Sequence, residues 1–366
     1  MGNRILFVGG NFDLNGGKRS KIVDLFSKNL PNVTLYNGGN YNELEKIIQK
    51  VKDYDIVLWW ANVSNDLNKI RNVKEINNKV MLVSSKRNNG EYEFQELIQK
   101  SLAIKANLTV EFSNKDGSYN MRLFDPLGNI WYDGVNINEC ACALLDRLNF
   151  IKNVTRKPTI KSEENYDNLK QIVLNKTDFL NIVKDYAYKF SSIMHLSNYI
   201  DRFLGNASFR CQRGFPSFRD KDYIFVSKRN VNKEFISIDD FVPVYLKDNK
   251  VYYSSCNKPS VDTYIQVNLY KILKNINYMI HSHCYINNAP FTKCAIPCGA
   301  LEEVDEILNL IKDKYNGDYD RDFYLINLLG HGSIMMSSDV SKLKNMDIVS
   351  RTIPENQYDK VLIRKK

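Results

Sequence analysis

The chain has 366 residues, 43% hydrophobic and 25% charged, an ordinary globular composition with length enough for two domains. Its 51 Lys and Arg outnumber 42 Asp and Glu, for a net charge of +9, which suits anionic ligands. No basic run interleaved with aromatics precedes the short tail Arg364-Lys365-Lys366, so nucleic acid is not expected as a partner. No apolar stretch approaches the ~20 residues of a membrane span, and Met1 leads straight into a strand-like run without a signal-peptide pattern. The expectation is a cytoplasmic protein whose seven cysteines are free thiols. The pairs Cys140/Cys142 and Cys294/Cys298 have no matching second pair and are read as buried packing rather than metal sites.

Along the chain, the first ~110 residues alternate strand and helix. Arg4 to Val8 is a strand ending at Gly9-Gly10, and Ser20 to Leu30 has helical spacing. Val33 to Tyr36, Asp55 to Trp60 and Lys79 to Val83 are further strands, separated by helical periodicity over Leu44 to Val51 and followed by a helix over Tyr92 to Ala103. Nearly all-apolar strands alternating with helices predict a doubly wound parallel sheet covered on both faces. Leu108 to Phe112 and Met121 to Phe124 flank Asp116-Gly117, a hairpin signal, and Cys140 to Phe150 reads as a helix. The polar, Pro158-containing stretch 151–166 is the expected linker, giving domains 1–155 and 165–366. The second half opens with helical spacing over Leu169 to Lys189 and Ile193 to Phe203. Strand-like pieces follow at Tyr223 to Ser227, Phe241 to Tyr245, Val251 to Ser254, Tyr278 to Ile280 and Phe323 to Leu329. Helices are expected over Asp262 to Leu273 and Leu301 to Asp313.

The chain holds only four histidines, and three of them follow apolar strands. His281 and His283 stand at i and i+2, so in an extended chain they leave on one face. His331 is flanked by Gly330 and Gly332, which let its backbone come close to a neighbour. Three neutral imidazoles leave a coordination position open, the arrangement of a catalytic zinc, although each histidine taken singly is more often structural than a ligand.

Residues ~165–340 resemble the class II aldolase/adducin family, which includes L-fuculose-1-phosphate aldolase and L-ribulose-5-phosphate 4-epimerase. The matching pieces come in family order: Gly205-Asn206-Ala207-Ser208, Lys258-Pro259-Ser260-Val261-Asp262, Tyr270, His281-Ser282-His283, Ala295-Ile296-Pro297-Cys298 and His331-Gly332. The resemblance implies an α/β/α second domain with Zn2+, or another divalent metal, on His281, His283 and His331. It implies Asp262 as acid/base, and Gly205, Asn206, Ser208 and Ser260 around the phosphate of a small sugar. It further implies a homo-oligomer, tetrameric in the family. The activity implied is reversible aldol cleavage of a ketose phosphate through an enediolate, in carbohydrate metabolism. Asp262 also suits the cap of the following helix.

Several positions depart from the family pattern. Aldolases of the family carry Glu where this chain has Asp262, as the epimerase does. Val261 removes a hydroxyl donor. The family's Thr-Gly phosphate turn gives way to Ser227-Lys228-Arg229, where Lys228 or Arg229 supplies charge to the phosphate or forms a solvated turn. The short stretch from His283 to Ala295 deletes the region of the epimerase's second acid, ranking epimerisation below cleavage. The terminal helix is replaced, and Tyr358 is the candidate for the family's catalytic tyrosine.

The first domain is only Rossmann-like or flavodoxin-like. Its loop Gly9-Gly10 to Gly16-Gly17-Lys18 is read either as a second, anion-binding site or as a plain long connection. Trp59-Trp60 ends a strand where ligands of open sheets bind, or packs against a neighbouring helix. Competing readings of the whole are a sugar-phosphate epimerase or dehydratase, a non-catalytic adducin-like interaction protein, and a regulator whose first domain binds a nucleotide.

Overall fold

The computed structural model describes residues 3–63, 73–115, 118–163, 176–194, 205–211 and 222–350. Contacts divide the chain into two compact units, the first running to Lys152 and the second beginning at Asn153.

The first unit contains β1 (Ile5–Asp13), α1 (Lys21–Ser27), β2 (Val33–Asn40), α2 (Tyr41–Gln49), β3 (Ile56–Val63) and α3 (Val73–Ile76). It continues with β4 (Met81–Arg87), α4 (Phe94–Ala103), β5 (Leu108–Lys115), β6 (Ser118–Phe124), β7 (Ile130–Gly134) and α5 (Ile137–Asn153). The sheet order is β2-β1-β3-β4-β5-β6-β7. Strands β2 to β5 pair in parallel, and β6 and β7 extend the edge antiparallel. The expected hairpin is thus fused to the parallel sheet: β5 pairs with β4 on one side and β6 on the other, with Lys115 opposite Ser118. Asp116 and Gly117 lie outside the described residues.

The apolar strands are explained by two covered faces. Leu6 and Val8 of β1 join Leu44 and Ile47 of α2 in one cluster. Phe7, pointing the other way, meets Phe26 of α1 and Trp60 edge-on, with ring centroids 6.3 and 4.7 Å apart. Full burial of such a side chain is worth roughly 1.5–3 kcal/mol. β1 runs past Gly9-Gly10, where the sequence reading ended it. The reason is local: Gly10 adopts φ 76°, and the register with β2 shifts between Gly9 and Phe12, a bulge rather than a stop.

The second unit contains β8 (Ile160–Lys161), α6 (Thr177–Met194), β9 (Asn206–Arg210), β10 (Ile224–Ser227), β11 (Phe241–Lys247) and β12 (Lys250–Tyr253). Then come α7 (Thr263–Ile272), β13 (Tyr278–Ser282), β14 (Tyr285–Ile286), α8 (Glu302–Lys314), β15 (Phe323–Leu328), β16 (Gly332–Ser337) and β17 (Ile348–Ser350). Eight strands form one sheet, ordered β15-β16-β13-β9-β10-β11-β12-β8, antiparallel except for β8 on β12. Side chains alternate between two cores. Val226, Val242, Met279 and Met336 pack under α7 and α8, while Phe225, Phe241, Ile280 and Met335 pack under α6. Helices thus cover both faces of the sheet, the α/β/α layering that the resemblance implied.

Two expectations change. The stretch read as a linker contributes β8, whose Ile160 and Lys161 pair with Tyr252 and Tyr253. Of the cysteines, only Cys140 and Cys284 are fully buried; Cys142 and Cys294 are exposed, because they fall on outward positions of α5 and of the loop before α8. All seven are free. Most of the helix expected over Ile193 to Phe203 lies outside the described residues. No helix among the described residues is long and apolar enough to cross a membrane.

Candidate metal centre

His281 sits near the end of β13, on the face that carries Met279 and looks toward α7 and α8. His283 follows the strand, and His331 occupies the turn between β15 and β16. The three rings converge. Their centroids are 5.0 Å (His281–His283), 4.6 Å (His281–His331) and 5.0 Å (His283–His331) apart. All three residues are buried, and one donor atom from each lies within 4.8 Å of the others.

Gly332 makes the convergence possible. With φ 128°, it stands where a Cβ would lie 2.0 Å from the Ser282 carbonyl oxygen and 2.6 Å from His283 Cα. Any side chain there would drive the two turns apart. Gly205 plays the same part on the other flank, where a Cβ would lie 2.5 Å from the His281 carbonyl oxygen.

Hydrogen bonds fix the ring orientations. His281 Nδ1 donates to the Ser333 carbonyl at 2.9 Å, which leaves Nε2 as the lone-pair nitrogen. That Nε2 is buried and has no hydrogen-bond partner among the described residues. Burial, then the neighbouring His331, push the His281 pKa down to about 4, so the ring is neutral near pH 7. His331 Nδ1 lies 2.6 Å from Glu303 Oε1, on the first turn of α8. Burial opposes charge on His331, but the Glu303 carboxylate and Cys298 together outweigh it and hold the pKa well above the usual value. Burial in turn raises the pKa of Glu303. A carboxylate behind an inward-facing imidazole is the arrangement that orients metal-binding histidines. An orphaned ring nitrogen, three clustered imidazoles and this backing carboxylate together fit a divalent cation such as zinc.

Asp262 occupies the cap position of α7, yet its side chain makes no capping bond. Its carboxylate turns inward instead. Oδ2 accepts from Asn206 Nδ2 at 2.8 Å and lies 4.0 Å from His281 Nε2, while Oδ1 accepts from the Cys298 thiol at 3.4 Å. Burial pushes the Cys298 pKa up to about 11, so the thiol keeps its proton. Asp262, Cys298 and His331 form a second group with donor atoms within 4.8 Å.

The residues expected around a phosphate are more scattered. Asn206 stands opposite His281 in the β9–β13 pair, and its amide is committed to Asp262 and Gln266. It therefore orients the acid, with its Oδ1 accepting from Gln266 and one Nδ2 hydrogen given to Asp262. Ser208 is completely buried and shares a hydrogen bond of 3.0 Å with the Tyr270 hydroxyl, which withdraws it from any substrate. Ser260 accepts weakly from the Asp262 backbone at 3.4 Å. Lys228 forms an ion pair with Asp240 at 2.6 Å, and Arg229 is exposed on the turn, the solvated alternative for that segment. Tyr358 lies outside the described residues.

Two residues at the centre escaped the sequence reading. Glu303 belongs to the pair Glu302-Glu303, which looks like an ordinary acidic first turn of a helix. Lys233, the first residue of a short 3-10 turn, is 7% exposed and donates to the Val231 carbonyl at 3.2 Å. Burial lowers its pKa to about 8, against the pull of Asp262. Nothing in an Asn-Lys-Glu-Phe run distinguishes it from a surface lysine.

In the first unit, Gly9 and Gly10 belong to β1, opposite Trp60 and Ala61 of β3. Beyond them the loop folds back on itself and onto β2. Asn11 N donates to Lys18 O at 2.9 Å, Gly16 N to Asp13 O at 3.3 Å and Gly17 N to Gly39 O at 2.8 Å. A Cβ on Gly17 would lie 1.8 Å from the Asn11 carbonyl oxygen. These amides are used internally, as in a plain connection, not turned toward an anion.

A family model matches part of the second unit. Residues 187–317 match the model of the Class II Aldolase and Adducin N-terminal domain, a span that includes Asn206, Asp262, His281 and His283 and stops before His331. No curated protein matches the chain. Among solved structures, L-fuculose-1-phosphate aldolase from Thermus thermophilus is similar at 14% identity, covering 44% of this chain and 80% of its own, with a TM-score of 0.28. An aldolase II superfamily protein from Pseudomonas syringae is similar at 11% identity, over 47% of this chain and 71% of its own, with a TM-score of 0.31. The DNA/pantothenate metabolism flavoprotein from Streptococcus pneumoniae is similar at 14% identity, over 40% of this chain and 97% of its own, with a TM-score of 0.32.

Proposed function

We propose that the second unit is a divalent-metal-dependent aldolase that cleaves or forms a carbon–carbon bond in a small ketose phosphate. The observation that carries this reading is the convergence of His281, His283 and His331, with the Asp262 carboxylate 4.0 Å from His281 Nε2. The family match over 187–317 supports an aldolase-like chemistry in general; the metal, the substrate and the residue roles are the proposal.

A bound cation, zinc by the donor set, would supply Lewis-acid stabilisation of negative charge developing on the substrate's carbonyl oxygen. The three imidazoles would hold it, and Glu303 keeps His331 facing inward. Asp262 takes the proton from the substrate hydroxyl as the bond cleaves and returns one in the reverse direction. Asn206 and Cys298 each bond one of its oxygens, so the carboxylate enters the reaction already oriented. Lys233, buried and electrostatically linked to Asp262 and His281, is the cation we assign to the substrate's anionic group. Ser260 supports that group. A homo-oligomeric, cytoplasmic enzyme follows from the family resemblance and is part of the same proposal.

The test is product analysis. Metal-loaded protein incubated with a panel of ketose phosphates is expected to yield two carbonyl fragments, with loss of turnover on chelation and recovery on adding Zn2+. A product of unchanged mass would identify an epimerase, and loss of water a dehydratase. No turnover by metal-loaded protein would favour an adducin-like role.

A further inference from the structure

The first unit contains a cavity that the proposed aldolase chemistry does not use. Its strand order 2-1-3-4-5 reverses direction between β1 and β3, the point at which open parallel sheets leave a crevice beyond their strand ends. A cavity of about 460 Å3 opens there, lined by Ser20 after β1, by Trp59 to Val63 on β3 and by Ser84 to Arg87 on β4. That volume lies in the range of small-molecule sites. A smaller cavity of about 130 Å3 shares Arg87, Phe112 and Tyr119 with it.

The lining has two characters. Trp59, Tyr92, Phe112 and Tyr119 are aromatic, while Lys86 and Arg87 bring two cations to the end of one strand. Arg87 is exposed, and its planar guanidinium matches the oxygens of a phosphate. Glu91, the acidic residue of the lining, supplies an acceptor for a sugar hydroxyl. Trp60 also lines the cavity, and its indole Nε1 is buried with no hydrogen-bond partner among the described residues. An unsatisfied buried donor is costly, and a carbonyl or ring nitrogen of a ligand would satisfy it.

We propose that this cavity binds a mononucleotide-class ligand, a planar heteroaromatic ring carried on a phosphate ester, with the ring among the aromatic side chains and the phosphate on Arg87 and Lys86. The site lies apart from the loop of Gly16 and Gly17, and it takes its anion from side chains rather than from backbone amides.

Calorimetric titration of the full-length chain tests it, using AMP, CMP, FMN, adenosine and inorganic phosphate. At least one of the three mononucleotides is expected to bind saturably. Adenosine and phosphate alone are expected to bind at least about tenfold more weakly, as loss of a charge-assisted contact predicts. Arg87→Gln weakens the mononucleotide by about tenfold or more with an unchanged melting temperature, since the side chain is exposed. Trp59→Ala weakens it independently through the ring, and His283→Ala leaves it unchanged. Failure of all three mononucleotides to bind overturns the proposal. So does binding indifferent to both Arg87→Gln and Trp59→Ala, or binding lost in His283→Ala, which would put the ligand at the metal centre.

Discussion

The glycine-flanked turns after β1 and after β15 look alike in sequence and do opposite things. At Gly16-Gly17 the close approach is backbone against backbone, and the two amides are spent on Asp13 within the loop and on Gly39 of β2. At Gly330-His331-Gly332 the same kind of approach brings an imidazole against two others, beside a buried His281 Nε2 with no hydrogen-bond partner among the described residues. A glycine signals proximity, but what is brought near decides whether the result is packing or a site. In the first unit, accordingly, the cavity lies beside the glycine loop rather than in it.

The largest expected effect separates the two turns. His283→Ala should take the protein from about one bound divalent ion per chain to almost none, measured by elemental analysis, without unfolding either unit. Metal retained at wild-type level would remove the basis of the proposed chemistry. Asp262→Asn comes next. It should keep the metal and lower the turnover of a cleavable ketose phosphate by about 10²–10⁴-fold, the usual weight of a positioned acid/base.

Glu303→Gln should weaken metal binding roughly 10–100-fold, because it releases the orientation of His331. It should also change the pH dependence, and the sign follows from the shifts. In the metal-free protein His331 holds its proton above the usual histidine range, whereas His281, at about 4, is already neutral. Metal must therefore displace one proton from His331, and affinity should rise by about tenfold per pH unit until the raised pKa is passed. Titrations in buffers of differing ionisation enthalpy would count that proton; a slope unaltered in Glu303→Gln would contradict the pairing.

The paired substitutions Gly332→Ala and Gly17→Ala should each cost at least about 2 kcal/mol, from positive φ at the first and backbone collision at both. Only Gly332→Ala should lower metal content. Chemical denaturation and metal analysis on the same samples would read both effects, and equal metal loss in the two variants would erase the distinction.

What was legible in the sequence follows a physical line. Strands buried on both faces must be nearly all apolar, so β1, β3 and β4 stood out, and the i, i+2 spacing of His281 and His283 survives any placement of the rest of the chain. Asp262 was legible by family position, although its rejection of the helix cap was not. Glu303 and Lys233 were invisible, because their burial depends on which side of α8 and of a short turn meets the histidines. The partner of the Ser208 hydroxyl was illegible for a related reason. The position of Ser208 in β9, two residues from Asn206, turns its hydroxyl to Tyr270, and no local pattern encodes what a neighbouring helix will present. The extent of β1 was missed because a bulge and a stop share the same glycine signature.

The two-residue strand β8 has a practical consequence for anyone dissecting this protein. Ile160 and Lys161 cover the outer edge of β12, and Ser162 N donates to Tyr253 O at 2.8 Å. A truncation starting at residue 165 would strip that cover and expose a row of unpaired amides and carbonyls, an invitation to intermolecular strand pairing. A fragment starting at Asn153 would keep the cover and is the better choice for studying the metal centre in isolation.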